Sequence, residues 1–360
     1  MRELVHLDGS LFELGLDYFT HDKEGVDMTW DEATPTIGRI YSDRMIEAFG
    51  PAREPRSELA QTHEDVAAAL QAMLEEAYLH LAETLWEKTR IPNLCLAGGV
   101  ALNAVANGRI LPETQFEELY IQPAAGDSGT AVGAAYHVWN QELGQPRGFV
   151  MEHAYTGPEF GDDEICAALE EAGLSAERLD DDALYAAVAE HIAEGDVVGW
   201  FQGRMEFGPR ALGHRSIVAD PRSETMKDVL NARIKHREPF RPFAPSILAE
   251  RTGEWFEQDY PSPFMVLVYK TASDKRDRIP AVNHVDDTGR VQSVESHVSP
   301  RYYRLISEFE KRTGVPVLLN TSFNENEPIV MSPEHALETF AKTRMDALVL
   351  GNLLISRSGS

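Results

Sequence analysis

Three short stretches concentrate side chains able to do chemistry on an anion. The first, 205–222, is MEFGPRALGHRSIVADPR, which sets Arg210, Arg215 and Arg222 among Gly208, Pro209 and Gly213. The second, 230–246, is LNARIKHREPFRPFAPS and adds Lys235, Arg237 and Arg241. The third, 318–324, is LLNTSFN and presents Asn320, Thr321, Ser322 and Asn324. A guanidinium offers a planar fork of N–H donors that grips phosphate bidentately, and lysine adds a compact point charge. Pro239, Pro242 and Pro245 deny the second stretch a continuous helix, so its cations project from a stiff, extended wall. Hydroxyl and amide side chains at a strand end suit the phosphate, ribose or amide of a ligand, and they equally make side-chain turns.

The surroundings sharpen the anion reading. The chain carries 59 acidic against 33 basic residues, a formal charge of -26. Between Phe201 and Pro245 nine basic residues face five acidic ones, so this window is +4 and the remainder -30. A basic island of this kind holds a small anion or makes salt bridges to its acidic neighbours; cations set among Gly and Pro favour the anion. The overall charge argues against a general nucleic-acid or anionic-membrane binder. It also suits a salt-rich cytosol; of the basic residues 25 are Arg and 8 are Lys.

Two further junctions could take a phosphate or a metal. AGGVALN, 97–103, places Gly98 and Gly99 between a strand and a helix start, where backbone N–H groups attract anions, and Asn103 follows one turn later. A plain tight turn fits as well. In PAAGDSGTAVGAA, 123–135, Asp127 precedes a helix and reads either as a cap or as a metal ligand. His284, with Asp286, Arg290, Gln292 and Ser293, makes another polar cluster, each member of which reads singly as a surface turn residue. HExxH and GxSxG patterns are absent, which leaves zinc-protease and serine-hydrolase chemistry without support.

Positioning these groups requires an α/β scaffold. With 360 residues the chain is long enough for two domains. Apolar residues at three- and four-residue spacing predict a helix over 63–90; a strand at 93–97, a helix near 100–108, a strand at 119–121 and a helix at 128–139 follow. The Gly- and Pro-rich run 142–161 marks a domain boundary, giving 1–150 and 151–360. Beyond it helices are expected near 162–172, 182–194, 223–233, 301–312 and 333–343. Strands are expected at 197–201, 243–248, 264–269, 316–319, 347–350 and 353–356. Cys95 and Cys166 are the only cysteines, which suits a reducing cytoplasm. The N-terminal MRELVHLDGS has no secretory character, and no apolar run approaches the roughly 20 residues of a membrane span.

Taken together, GRMEFGPRALGHRSI, LNARIKHREPFRPFAPS, HVDDTGRVQSV and NTSFNENEPIVMSPEHALETF resemble the C-terminal signature of the O-carbamoyltransferases of antibiotic tailoring and nodulation-factor synthesis. LAGGVALNAVANGRI and PAAGDSGTAVGAA resemble the second lobe of their actin-like (ribonuclease H-like) domain, and DGSLFELGLDYF resembles a stretch in mid-chain of that family. The resemblance implies a C-terminal α/β domain similar to threonylcarbamoyl-adenylate synthases. There ATP and carbamoyl phosphate form carbamoyl-adenylate, and the actin-like domain transfers the carbamoyl group to a hydroxyl with the help of a divalent metal such as Fe or Mg. By this resemblance Arg210, Arg215, Lys235, Arg237 and Arg241 are the anion clamp. Asn320, Ser322, Asn324 and His284 contact nucleotide or carbamoyl, Gly98, Gly99 and Asn103 contact the adenylate, and Asp127 is a metal ligand. The family's first lobe, with its paired-histidine motif, has no counterpart here; His6, His21, His63 and His80 lack that spacing. A separate first-lobe chain or a homo-oligomer is therefore an expected partner, beside the small-molecule substrates. NENEP also departs from a more Gly-containing version of its turn. A threonylcarbamoyl-type tRNA-modifying enzyme and a non-catalytic partner subunit are the alternatives.

Overall fold

Val66, Leu70, Met73, Leu74, Ala77, Leu81 and Leu85 recur on one stripe, and they build the longest helix, Gln61–Thr89. In the computed structural model, which describes residues 1–9, 11–31, 34–55, 57–238 and 240–357, the chain divides into two compact units. Ser10 of the DGSLFEL stretch and Pro239 of the cationic wall lie outside the described residues.

The first unit comprises Met1–Leu94 with Arg109–Leu119. It holds two hairpins, β1 (Val5–Asp8) with β2 (Leu11–Leu14) and β3 (Met28–Asp31) with β4 (Thr34–Ile37), beside the long helix. Trp86 on that helix meets Phe116 edge to face, 5.7 Å between ring centres. Arg109 bridges Glu75 and Glu113, each at 2.6 Å. β5 (Asn93–Leu96) and β6 (Glu118–Ile121) make a further two-stranded sheet.

The second unit comprises Cys95–Gly108 with Tyr120–Ser360 and is a mixed α/β fold. Its strands are β7 (Glu177–Arg178), β8 (Val198–Phe201), β9 (Arg215–Ala219), β10 (Ala244–Leu248), β11 (Leu267–Lys270), β12 (Thr288–Val294), β13 (Val317–Ser322), β14 (Ala347–Leu350) and β15 (Leu353–Ser356). They form one mixed sheet in the order β11-β12-β10-β13-β9-β8-β14-β15-β7. β10 runs parallel to β12, and β14 to β8; the other neighbours in this sheet are antiparallel. Every residue of β8, β9, β10 and β14 is buried, and β8 and β14 accordingly read as near-continuous apolar runs.

Helices pack on this sheet in pairs, Asp181–Ala193 with Pro300–Thr313 and Asp162–Glu171 with Pro333–Lys342. Each start has a local cause. Asp180 accepts the N–H of Ala183 at 2.9 Å, and Pro300 and Pro333 open their helices. Tyr302, Leu305, Ile306 and Phe309 give Pro300–Thr313 its buried stripe. Residues 144–160 form no helix or named strand; Tyr155 makes an isolated bridge with Glu206. No described helix is long and apolar enough to cross a membrane.

Residues 202–214 join β8 to β9 and carry the first cationic stretch. Two glycines shape this loop. Gly208 takes φ +138° where a Cβ would stand 2.9 Å from the Pro123 carbonyl oxygen. Gly213 takes φ +100°, and a Cβ there would lie 2.1 Å from the Tyr302 ring. Both the backbone conformation and the ring exclude a side chain. Gly213→Ala is expected to lower stability by about 3 kcal/mol, the sum of backbone strain and overpacking; urea unfolding of the variant checks it.

Candidate functional site

Four strand ends meet at one edge of the large sheet: the starts of β9, β10 and β12 and the end of β13. The register fixes this, since Ala244 faces Asn320, Ser216 faces Ser322 and Ser246 faces Gln292. A cavity of about 320 Å³ opens there. Arg210 reaches it from the 202–214 loop, Arg237 and Arg241 from the segment before β10, and Arg290 from β12. Asn320, Thr321 and Ser322 at the end of β13 complete the polar lining, beside Phe243, Ala244 and Met265. Met265 holds φ +56°, a strained backbone for a non-glycine residue at the cavity wall.

The cations that line the cavity are short of counter-charge. The Nε atoms of Arg210, Arg237 and Arg290 are buried without a hydrogen-bond partner. Arg241 pairs with Glu238 at 3.9 Å, but among the described residues no carboxylate stands at ion-pair distance from Arg210, Arg237 or Arg290. Burial, then the neighbouring charges of Arg210 and Arg237, push the Arg290 pKa down to about 9. Burial lowers Arg210 as well, and burial with Arg241 lowers Arg237. Arg237 also lies over the Phe243 ring, 4.5 Å from its centre. Buried cations that repel one another are ordinarily paired, and a polyanion would supply the missing charge.

Lys235 stands behind this wall, where a wide π-type turn, Asn231–Lys235, ends at His236 in the left-handed region. Its Nζ donates to the carbonyls of Ser322 and Asn324 at 2.7 Å each and reaches Asn324 Oδ1 at 2.8 Å. It thereby fastens the 322–324 turn to the cationic segment. Burial first, with Arg237 and Arg241 adding and Glu327 opposing, lowers the Lys235 pKa to about 7. The unfolded chain keeps this proton up to about 10.5. Between these values the unfolded state binds more protons, so the contribution of this group to stability grows with pH. Anion binding acts the other way by restoring the charge. Sulfate affinity is expected to fall as pH rises above about 7, with proton uptake on binding; titration calorimetry in buffers of different ionisation heat checks it.

The structure places the other expected residues elsewhere. Arg215 does not line the cavity and is corrected from an anion clamp to a buried anchor. It is 0% exposed, lies over Phe201 at 3.5 Å, and gives its guanidinium to the carbonyls of Pro158, Gln202, Gly203, His214 and Met331. Asn324 does not line the cavity and acts through Lys235. His284 lies in the turn before β12, its Nδ1 3.3 Å from Thr288 Oγ1. Burial drives its pKa down to about 4, so it is neutral.

Gly98, Gly99, Asn103 and Asp127 come together in a second place. The Gly98 N–H donates to the Ala125 carbonyl at 2.8 Å, which sets the two glycine-containing junctions side by side. Asn103 Oδ1 accepts the Ala106 N–H at 3.1 Å and so caps the helix that follows. Asp127 is exposed and begins a single 3₁₀ turn, where its carbonyl accepts the Thr130 hydroxyl. Among the described residues no three His, Cys, Asp or Glu side chains converge on a metal position. One exposed carboxylate does not satisfy the several oxygen ligands of Mg²⁺ or the ligand set of Fe. The described residues do not by themselves fit a metal site.

Residues 189–357, which contain all four arginines of the cavity, match the family model "Carbamoyltransferase C-terminus", and residues 29–136 match "Carbamoyltransferase N-terminus". The chain belongs to the carbamoyltransferase family. An uncharacterized protein of Synechocystis is 44% identical over 98% of this chain and 59% of the relative. Nodulation protein NolNO of Sinorhizobium fredii is 46% identical over 89% of the chain and 48% of its own length. Nodulation protein NolO of Bradyrhizobium diazoefficiens is 42% identical over 89% and 60%. The chain thus spans about half to three fifths of the relatives it matches.

Two residues at or beside the cavity carry no assignment from sequence. Arg290 was visible only as one of several polar residues, because TGRVQSV lacks the alternation that marks a strand. Glu206 stands in the first cationic stretch, and its Oε1 accepts the N–H groups of Leu212 and His214 at 2.7 and 2.8 Å. A lone buried carboxylate among arginines signals an ion pair, whereas here it shapes the loop.

Proposed function

We propose that this chain forms carbamoyl-adenylate from ATP and carbamoyl phosphate and takes part in moving the carbamoyl group to a hydroxyl of a small-molecule acceptor. One observation carries the reading: Arg210, Arg237, Arg241 and Arg290 surround one cavity, three of them without a carboxylate partner among the described residues. Water would open the mixed anhydride and release orthophosphate. A carbamate oxygen would then bond to the α-phosphorus of ATP as the bond to pyrophosphate breaks. Both reactants are polyanions, so the dominant obstacle is their mutual repulsion. Fixed guanidinium groups offset it without reorganising at the moment of reaction.

In this reading residues 151–360 resemble a threonylcarbamoyl-adenylate synthase, and residues 1–150 are the second lobe of an actin-like domain that meets a first lobe on a separate chain or a second copy. Exposed Tyr136, Val138, Trp139, Leu143 and Phe149 supply apolar surface for such a partner. The transfer metal, Fe or Mg, would be held largely by groups outside this chain. A cytoplasmic, salt-rich setting accords with the use of ATP and with the charge of -26.

The test is ATP–pyrophosphate exchange by the purified chain in high salt, with and without carbamoyl phosphate. Exchange that requires carbamoyl phosphate supports the reading. A folded chain that catalyses none, even beside a protein carrying the remaining portion of the longer relatives, overturns it.

A further inference from the structure

Arg210, Arg237 and Arg290 crowd one cavity, and nothing acidic tethers Arg210 among the described residues. Its Nε has no partner. Its place against this repulsion is therefore set by its backbone. That backbone is held from both sides. Glu206 gathers the N–H groups of Leu212 and His214. On the carbonyl side Gln292 Nε2 donates to Leu212 O at 2.7 Å, and Asn320 Nδ2 points to Ala211 O at 3.2 Å.

The carbonyl side has only one consistent arrangement. Gln292 is 1% exposed, and its amide nitrogen is committed to Leu212, so Oε1 turns toward Ser246 and Asn320. The Ser246 hydroxyl donates to that Oε1 at 2.7 Å. Asn320 Nδ2 then lies 3.1 Å from Gln292 Oε1 and 3.0 Å from Ser246 Oγ. Reversing either amide would set oxygen against oxygen, so the chain of bonds has a fixed polarity. Gln292 and Arg290 are also two residues apart on β12 and share a face, with Cα atoms roughly 7 Å apart along the strand. One strand thus carries a cavity cation and the group that holds its rival.

We infer that Gln292, oriented by Ser246 and Asn320, is the positioning residue that keeps Arg210 in the cavity opposite Arg290. The inference rests on reading the cavity as an anion site, and it adds how that site stays assembled. Leu212 O also accepts the Tyr155 hydroxyl at 2.8 Å, so the loop keeps one tie when Gln292 is changed.

The experiment is a double-mutant cycle on inorganic phosphate affinity, measured by calorimetry with the full chain. Gln292→Met removes the donor without adding charge and is expected to weaken phosphate about tenfold. In an Arg210→Ala background the same change is expected to do nothing more, whereas in an Arg237→Ala background the tenfold loss persists. A role in general packing would give equal losses in all three backgrounds, and that result overturns the inference. Should Gln292→Met fail to fold, Ser246→Ala, which frees the Gln292 amide, takes its place in the cycle with the same expectations. If phosphate does not bind, or binds equally well after Arg210→Ala, the anion-site reading itself fails, and the positioning role with it.

Discussion

Arg290→Ala is expected to cut carbamoyl-phosphate-dependent ATP–pyrophosphate exchange by about 10²–10³, the usual effect of deleting one preorganised group that stabilises charge in a reaction. The variant should fold as well as its parent or better. Arg290 has no carboxylate partner among the described residues, and its charge is opposed by burial and by Arg210 and Arg237. Removing it relieves repulsion in the empty protein and deprives the filled one of a counter-charge. A variant with lower activity and raised unfolding midpoint is the signature of a residue kept for its ligand rather than for the fold. Exchange assays beside urea denaturation check both parts.

Arg215→Met should behave in the opposite way. The guanidinium of Arg215 meets five backbone carbonyls and is fully buried. Methionine fills part of that space and satisfies none of those oxygens. Leaving several buried acceptors unpaired is expected to cost about 3–5 kcal/mol, or about 10 °C in Tm for a domain of this size. Arg215→Lys should recover little of it, since three donors on one nitrogen do not span the same carbonyls. Thermal unfolding of both variants checks this. The contrast between Arg290 and Arg215 separates two arginines that composition and spacing place in one group.

That contrast also marks how far the sequence is readable. The helices Gln61–Thr89, Asp181–Ala193, Pro300–Thr313 and Pro333–Lys342 stand within two residues of the expected bounds, because each carries an apolar stripe or a recognisable start. The buried strands Val198–Phe201, Ala347–Leu350 and Leu353–Ser356 are legible as short apolar runs. β9 and β12 are not. β9 opens with a buried arginine and continues with a buried serine, and β12 buries Gln292 and Ser293. Their polar side chains bond to loops and to one another, an arrangement that no local pattern encodes. Missing β12 hides Arg290, and missing β9 makes Arg215 look free. Arg210, Arg237 and Arg241 were legible as cationic groups beside turns, whereas their convergence with Arg290 depends on strands distant in sequence.

The position of β13 has a consequence for how the protein is made. Residues 317–322 lie between β9 at 215–219 and β10 at 244–248 and pair with both. Until that late segment leaves the ribosome, the two earlier strands lack their shared neighbour, and each presents a hydrogen-bonding edge built from buried residues. Such pairings join distant parts of the chain and form slowly, and open edges invite association in the meantime. The strand that supplies Asn320, Thr321 and Ser322 to the cavity also joins β9 to β10. Completion of the cavity and the joining of β9 to β10 are therefore the same folding event.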